Sequence, residues 1–129
     1  MKLHNCGGPN DRGVDLQGVW PLGNIKIPLY VQCKDTSHCS TAMVREFIGV
    51  LGRVTTELGQ NTPPIGIFAT TVNIRNSMLR ESALSSYPLI LLRVQNQRIL
   101  SLQPNYSLLR AYPSIQFLFD VDDNPRSDW

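Results

Sequence analysis

Asp15, Gln32 and Lys34 bring a carboxylate, an amide oxygen and an ammonium into one short stretch of a 129-residue chain. Gathered on one face, these groups are costly to bury without partners, whereas a divalent metal ion and a phosphate satisfy all three. A metal held by carboxylate oxygen polarises a phosphoryl group and lowers the pKa of bound water. A lysine beside it can orient that water or stabilise the developing charge. Hydrolysis of a phosphodiester needs these same parts.

Two strands must bring them together. From Ile25 to Lys34 the chain alternates, with Ile25, Ile27, Leu29, Val31 and Cys33 on one face and Lys26, Pro28, Tyr30, Gln32 and Lys34 on the other, which predicts a half-buried strand. Upstream, Val14, Leu16, Gly18 and Trp20 alternate with Asp15, Gln17 and Val19, and Pro21-Leu22-Gly23-Asn24 supplies turn residues that fold the segment back as a hairpin. Asp15, Gln32 and Lys34 can then share one face.

The rest of the chain supplies a frame for this hairpin. Met43, Phe47, Val50, Leu51, Val54 and Leu58 recur at helical spacing, so residues 41 to 58 are expected to form a helix packed on the sheet, capped by Ser40 or Thr41. Glu46 on its first turns either points to the metal site as an auxiliary group or faces water near the helix N-terminus. Gln60 to Pro64 ends the helix, and Ile65 to Thr71 reads as a buried strand, reached by a right-handed crossover and paired in parallel. A shorter helix over 75–85 with Met78, Leu79 and Leu84 follows, then a central strand from Leu89 to Val94. Beyond Gln95 the apolar patches around Ile99, Leu108 and Phe117 are broken by Pro104 and Pro113, as in short helices or edge elements. Ile115, Phe117 and Phe119 are available to extend the sheet or to contact another subunit of a homodimer.

At its chemical residues the chain resembles the Mrr-type restriction endonuclease branch of the PD-(D/E)XK nuclease superfamily. That branch carries Gly-Gly-x-x-Asp-x-Gly-hydrophobic-Asp followed by Gln-x-Lys, and here stand Gly7-Gly8, Asp11, Gly13 and Asp15, then Gln32 and Lys34. The resemblance extends through Val44 to Gly49 and the strand Gly66 to Thr71, covering roughly residues 6 to 93, and some fungal mitochondrial proteins linked to respiratory growth look like members too. It implies a restriction-endonuclease-like α/β fold, a central mixed β-sheet flanked by helices, as one domain over residues 1–119. It also implies that Asp15 and Gln32 hold Mg²⁺ or Mn²⁺, that Lys34 is the catalytic lysine, and that Asp11 supports them. DNA is the implied substrate, and a mitochondrial location is suggested. Nucleases of this type commonly begin with a helix bearing a metal-binding glutamate, whereas only Met1 to Cys6 precede the glycines. The chain is therefore expected to be a fragment, to borrow that layer from another subunit, or to carry an incomplete site.

Composition sets further bounds. No run of eighteen apolar residues and no apolar leader occurs, so neither a transmembrane helix nor a secretory signal is expected. Cys6, Cys33 and Cys39 are odd in number and irregularly spaced, which argues for a reducing compartment; His4 with Cys6 and His38 with Cys39 lack the paired cysteines of a zinc site, and Cys33 reads as a small buried hydrophobe. Residues 120–129 form an acidic tail of net charge −3, leaving +5 on the remainder of a chain whose total is +2. Arg12, Lys26 and Arg45 are the basic residues nearest the proposed site in sequence and can grip backbone phosphates, or simply solvate the surface. Three readings follow: a metal-dependent DNA endonuclease, a catalytically inactive nuclease-like domain that binds nucleic acid or serves as an assembly scaffold, and a plain α/β domain whose motif overlap is accidental.

Overall fold

A computed structural model describes residues 2–5, 16–34, 39–58 and 62–115. Among these residues six strands form one mixed sheet in the order β1 (Lys2–Asn5), β2 (Leu16–Leu22), β3 (Ile25–Lys34), β4 (Ile65–Thr70), β5 (Leu89–Gln95) and β6 (Arg98–Pro104). Three helices accompany it: α1 (Thr41–Leu58), α2 (Asn76–Leu84) and α3 (Tyr106–Ala111). The central strands β3, β4 and β5 are parallel, and β1, β2 and β6 are antiparallel to their neighbours. This is the expected mixed sheet flanked by helices. Among the described residues no helix is long and apolar enough to cross a membrane.

Each face of the sheet has its own core. On one, α1 and α2 cover Tyr30, Phe68, Leu89 and Leu91, with Val44, Phe47, Leu51 and Met78 as their contribution. On the other, Leu108, Tyr112 and Ile115 pack over Ile27, Leu29, Ile65 and Ile90. Helix α1 can lie close to the sheet because Gly66 offers no side chain: a Cβ there would stand 2.5 Å from Leu51 Cδ1 and 3.0 Å from Phe47 Cε2. Phe47 and Phe68 then meet at 6.0 Å between ring centroids, tilted by 51°, within the range where edge-to-face contact adds to burial.

The β3 strand departs from the expected half-buried pattern. Leu29, Tyr30, Val31 and Gln32 are all buried, because helices cover the face that looked polar as well as the apolar one. Cys33, expected inside, is exposed, whereas Cys39 is buried. The described cluster on that face, built on Leu108, Tyr112 and Ile115, includes Ile27 and Leu29 of β3 but not Cys33. Leu84 likewise closes α2 on its outer side and is 77% exposed.

The hairpin turn between β2 and β3 is tighter than the sequence suggests. Pro21 and Leu22 remain in β2, opposite Lys26 and Ile25, and Gly23 with φ +61 begins a two-residue turn, as hairpins of type II′ require. The β5–β6 hairpin places both Asn96 and Gln97 in the left-handed region, φ 52 and 63. That conformation suits asparagine or glycine and costs a glutamine about 1 kcal/mol. Gln97→Gly is accordingly expected to raise stability by about 0.5–1 kcal/mol, read as a higher midpoint in urea unfolding with unchanged slope.

Asn105 ties the second half together. It caps α3 through Oδ1, which accepts from Leu108 N at 3.0 Å and from Leu89 N at 3.0 Å, while Nδ2 donates to Ser82 O at 2.9 Å and Tyr87 O at 3.0 Å. Tyr112 Oη donates to the carbonyl of Pro63, fastening the segment after α3 to the entry of β4. Burial pushes the Tyr112 phenol above its ordinary range, so it stays protonated as the donor at neutral pH.

Candidate functional site

Sheet register sets the geometry of the candidate site. Gln32 pairs with Phe68 and Phe68 with Leu91; one step further, Lys34 pairs with Thr70, Thr70 with Arg93, and Arg93 with Ser101. Residues opposite one another in register point to the same face, and alternate residues along a strand share it. Gln32, Lys34, Thr70 and Arg93 therefore all stand on the α1–α2 side of the sheet, at the carboxyl ends of its three parallel strands. Open α/β sheets hold their ligands just beyond these ends.

The two rows differ in wetness. Phe68 and Leu91 are fully buried and Gln32 is 8% exposed, so the inner row is sealed beneath the helices. Gln32 is also engaged in an interaction rather than left unsatisfied. In the outer row, Thr70 is buried with its Oγ1 accepting from Val72 N at 3.2 Å, whereas Lys34 and Arg93 are half-buried. Both are long side chains able to lay a stem on apolar surface and carry a charge to the rim.

Helices α1 and α2 hold the roof over this end. Arg45 donates to Glu81 Oε1 from Nη2 at 2.6 Å and from Nε at 3.1 Å, and Thr41 Oγ1 donates to Ser77 Oγ at 2.7 Å. Arg75, just ahead of α2, donates to the Cys39 carbonyl. Ser40 is the cap of α1, its Oγ accepting from Met43 N at 3.3 Å.

The residues singled out in the sequence separate accordingly. Gln32 and Lys34 share a face two residues apart on β3. Asp11, Arg12 and Asp15 lie outside the described residues; Leu16, which follows Asp15, pairs with Val31. Lys26 stands at the opposite end of β3, roughly 25 Å from Lys34 along the strand, so it is not part of the same cluster. Arg45 is largely exposed and paired with Glu81, and Glu46 is exposed on α1. Among the described residues no three His, Cys, Asp or Glu side chains gather as a metal site. Gln32 contributes a neutral oxygen donor, whereas a hard cation requires charged oxygen as well.

Sequence reasoning missed Arg93. Its signal was a charge inside Leu89-Ile90-Leu91-Leu92-Arg93-Val94, at the same parity as the helix-facing Leu89 and Leu91. A charge on the covered face of a parallel strand is unusual, because such strands read as nearly continuous apolar runs.

Comparison with known proteins adds a lineage. An uncharacterized mitochondrial protein of Schizosaccharomyces pombe is 27% identical over 129 residues, an alignment covering 87% of this chain and 50% of that protein. The chain thus spans about half the length of this relative. No solved structure matches the chain. Residues 25–116, from the start of β3 to just past α3, match the family described as required for respiratory growth protein 7, and the chain belongs to that family.

Proposed function

We propose that this chain is a nuclease-like domain that hydrolyses phosphodiester bonds in DNA with a divalent metal. The observation that carries the reading is the placement of Gln32 and Lys34 on one face at the carboxyl end of β3, in the order and spacing of the Mrr-type nuclease signature. Asp15 and Gln32 are the residues that would hold Mg²⁺ or Mn²⁺. When bound, the ion supplies Lewis acidity toward the phosphoryl group and acidifies a coordinated water. Lys34 places its ammonium beside the scissile phosphate, where it offsets the charge that builds on the phosphoryl oxygens and aligns the attacking water. Phe68 and Leu91, beside Gln32 in the inner row, exclude water and strengthen these interactions.

A second reading is favoured by one feature: Gln32 is neutral, buried and already engaged, which makes it a weak metal ligand. In that reading the domain binds nucleic acid or organises an assembly without cutting. Incubation of the purified protein with supercoiled, linear and branched DNA, with Mg²⁺ or Mn²⁺ and with a chelator control, separates the two. Metal-dependent cleavage is the expected result; binding without cleavage in either metal selects the inactive domain, and neither binding nor cleavage removes both. The name of the fission-yeast relative supports placing the protein in mitochondria, which fractionation of cells expressing a tagged chain would check.

A further inference from the structure

We propose that Arg93 is a phosphate-binding residue, and that Lys34, Thr70 and Arg93 together form a clamp for one phosphate group at the carboxyl ends of β3, β4 and β5. This rests on the nuclease-like reading for the identity of the phosphate, which would belong to a DNA backbone, but the clamp itself stands on separate observations. The three residues occupy one register row. Adjacent strands are about 4.8 Å apart, so the Lys34 and Arg93 backbones are separated by roughly 9.5 Å with Thr70 between them. Both cations stand on the same face, and their side chains are long enough to converge on a tetrahedral anion lying over Thr70.

Arg93 itself supplies the decisive detail. Its Nε is buried and has no hydrogen-bond partner among the described residues, although buried donors are nearly always satisfied. No ion pair joins Arg93 or Lys34 to another described residue, in contrast to Arg45, which Glu81 neutralises. Two cations on one covered face repel each other, and an anion held between them removes that cost. The planar guanidinium presents Nε and a terminal nitrogen in a fork matched to two phosphate oxygens. The Thr70 hydroxyl, already accepting from Val72 N, keeps its own proton free to donate.

Two measurements on the intact chain test the clamp. The first follows the ¹⁵N resonance of the Arg93 Nε–H during titration with inorganic phosphate. Saturable movement of that resonance is expected. The second measures affinity for a duplex oligonucleotide by fluorescence anisotropy across a salt series, for the wild-type chain, Arg93→Gln, Arg93→Lys and, as a control at the far end of β3, Lys26→Gln. Arg93→Gln is expected to weaken binding about 10-fold or more at moderate salt and to lower the salt slope by about 0.9, the loss of one phosphate contact. Arg93→Lys should keep the slope while losing part of the affinity, because it retains the charge but not the fork.

If the wild-type chain binds duplex, the Arg93→Gln slope is unchanged and the Nε resonance is indifferent to phosphate, the clamp is wrong while the nuclease-like reading stands. If the resonance responds to phosphate but the wild-type chain does not bind duplex, the clamp stands for another phosphate-bearing ligand and the DNA reading falls. The resonance is observed in the wild-type chain, so the test survives any variant that fails to fold.

Discussion

Lys34→Ala is expected to lower metal-dependent DNA cleavage by about 100- to 1,000-fold, the usual consequence of removing one group aimed at charge that develops in the transition state. Lys34 is half-buried at the last position of β3, with Thr70 as its register neighbour, and among the described residues no ion pair engages its ammonium. Thermal unfolding of the variant should therefore coincide with that of the wild-type chain. Lys34→Arg restores the charge with a different shape and is expected to recover little activity, because the reaction needs a point charge at one place. Substrate affinity should fall less than turnover, since an interaction that matures in the transition state appears mainly in kcat. Cleavage that persists in Lys34→Ala at the wild-type rate would remove Lys34 from the chemistry and assign any activity to other residues.

Asn105→Ala is expected to have the largest effect on stability, about 3 kcal/mol or more. The side chain makes four hydrogen bonds at a buried position, and its removal strands the N–H groups of Leu89 and Leu108, while the carbonyls of Ser82 and Tyr87 each lose one donor and keep another from Ser85. Each unsatisfied buried group costs about 1–3 kcal/mol, and loss of a helix cap alone costs about 1 kcal/mol. Differential scanning calorimetry should show a midpoint lower by about 10 °C. Asn105→Asp separates the two halves of the network: the carboxylate still accepts from Leu89 N and Leu108 N, but it faces the Ser82 and Tyr87 carbonyls with no proton to give. It too should destabilise, although the α3 cap is kept. A shift below about 1 kcal/mol in Asn105→Ala would mean that water replaces the side chain and that the site is less closed than its 5% exposure indicates.

The parts of the fold that could be read from sequence are those whose signals are local. Helix α1 was expected over 41–58 and runs Thr41–Leu58, since an apolar stripe of about four turns and the Ser40 cap both act within the segment. Strands β4 and β5 and helix α2 fall within one residue of expectation at each end, because Pro-rich or polar breaks bracket each apolar run. The second half beyond Gln95 was harder. Strand β6 is an edge that mixes exposed and half-buried residues with none fully buried, and the residue that fixes it to the core, Asn105, acts on partners sixteen to twenty-three positions away. Nothing local announces such a network. Strand β1 was not anticipated either: its four residues, Lys2–Asn5, carry little β propensity, and pairing with β2 provides what their composition does not.

The candidate site divides in the same way. Gln32 and Lys34 were legible because a strand period of two puts them side by side wherever the strand lies. Arg93 was not, because its closeness to Lys34 is a property of how β3, β4 and β5 align, and that alignment depends on two helical connections. Arg45 shows the converse. It is near the motif in sequence and basic, yet Glu81, thirty-six residues onward, holds it.

Because the spatial order of the six strands is their order along the chain, no strand has to insert between two that have already joined. The sheet can grow from one margin to the other as successive segments become available, whether from a ribosome or from a translocation pore. Each newly delivered strand finds its docking edge already presented by the one before it. The slow steps are then the two parallel joins, β3 with β4 and β4 with β5, each of which waits for a helical connection and leaves its edge open to other molecules meanwhile.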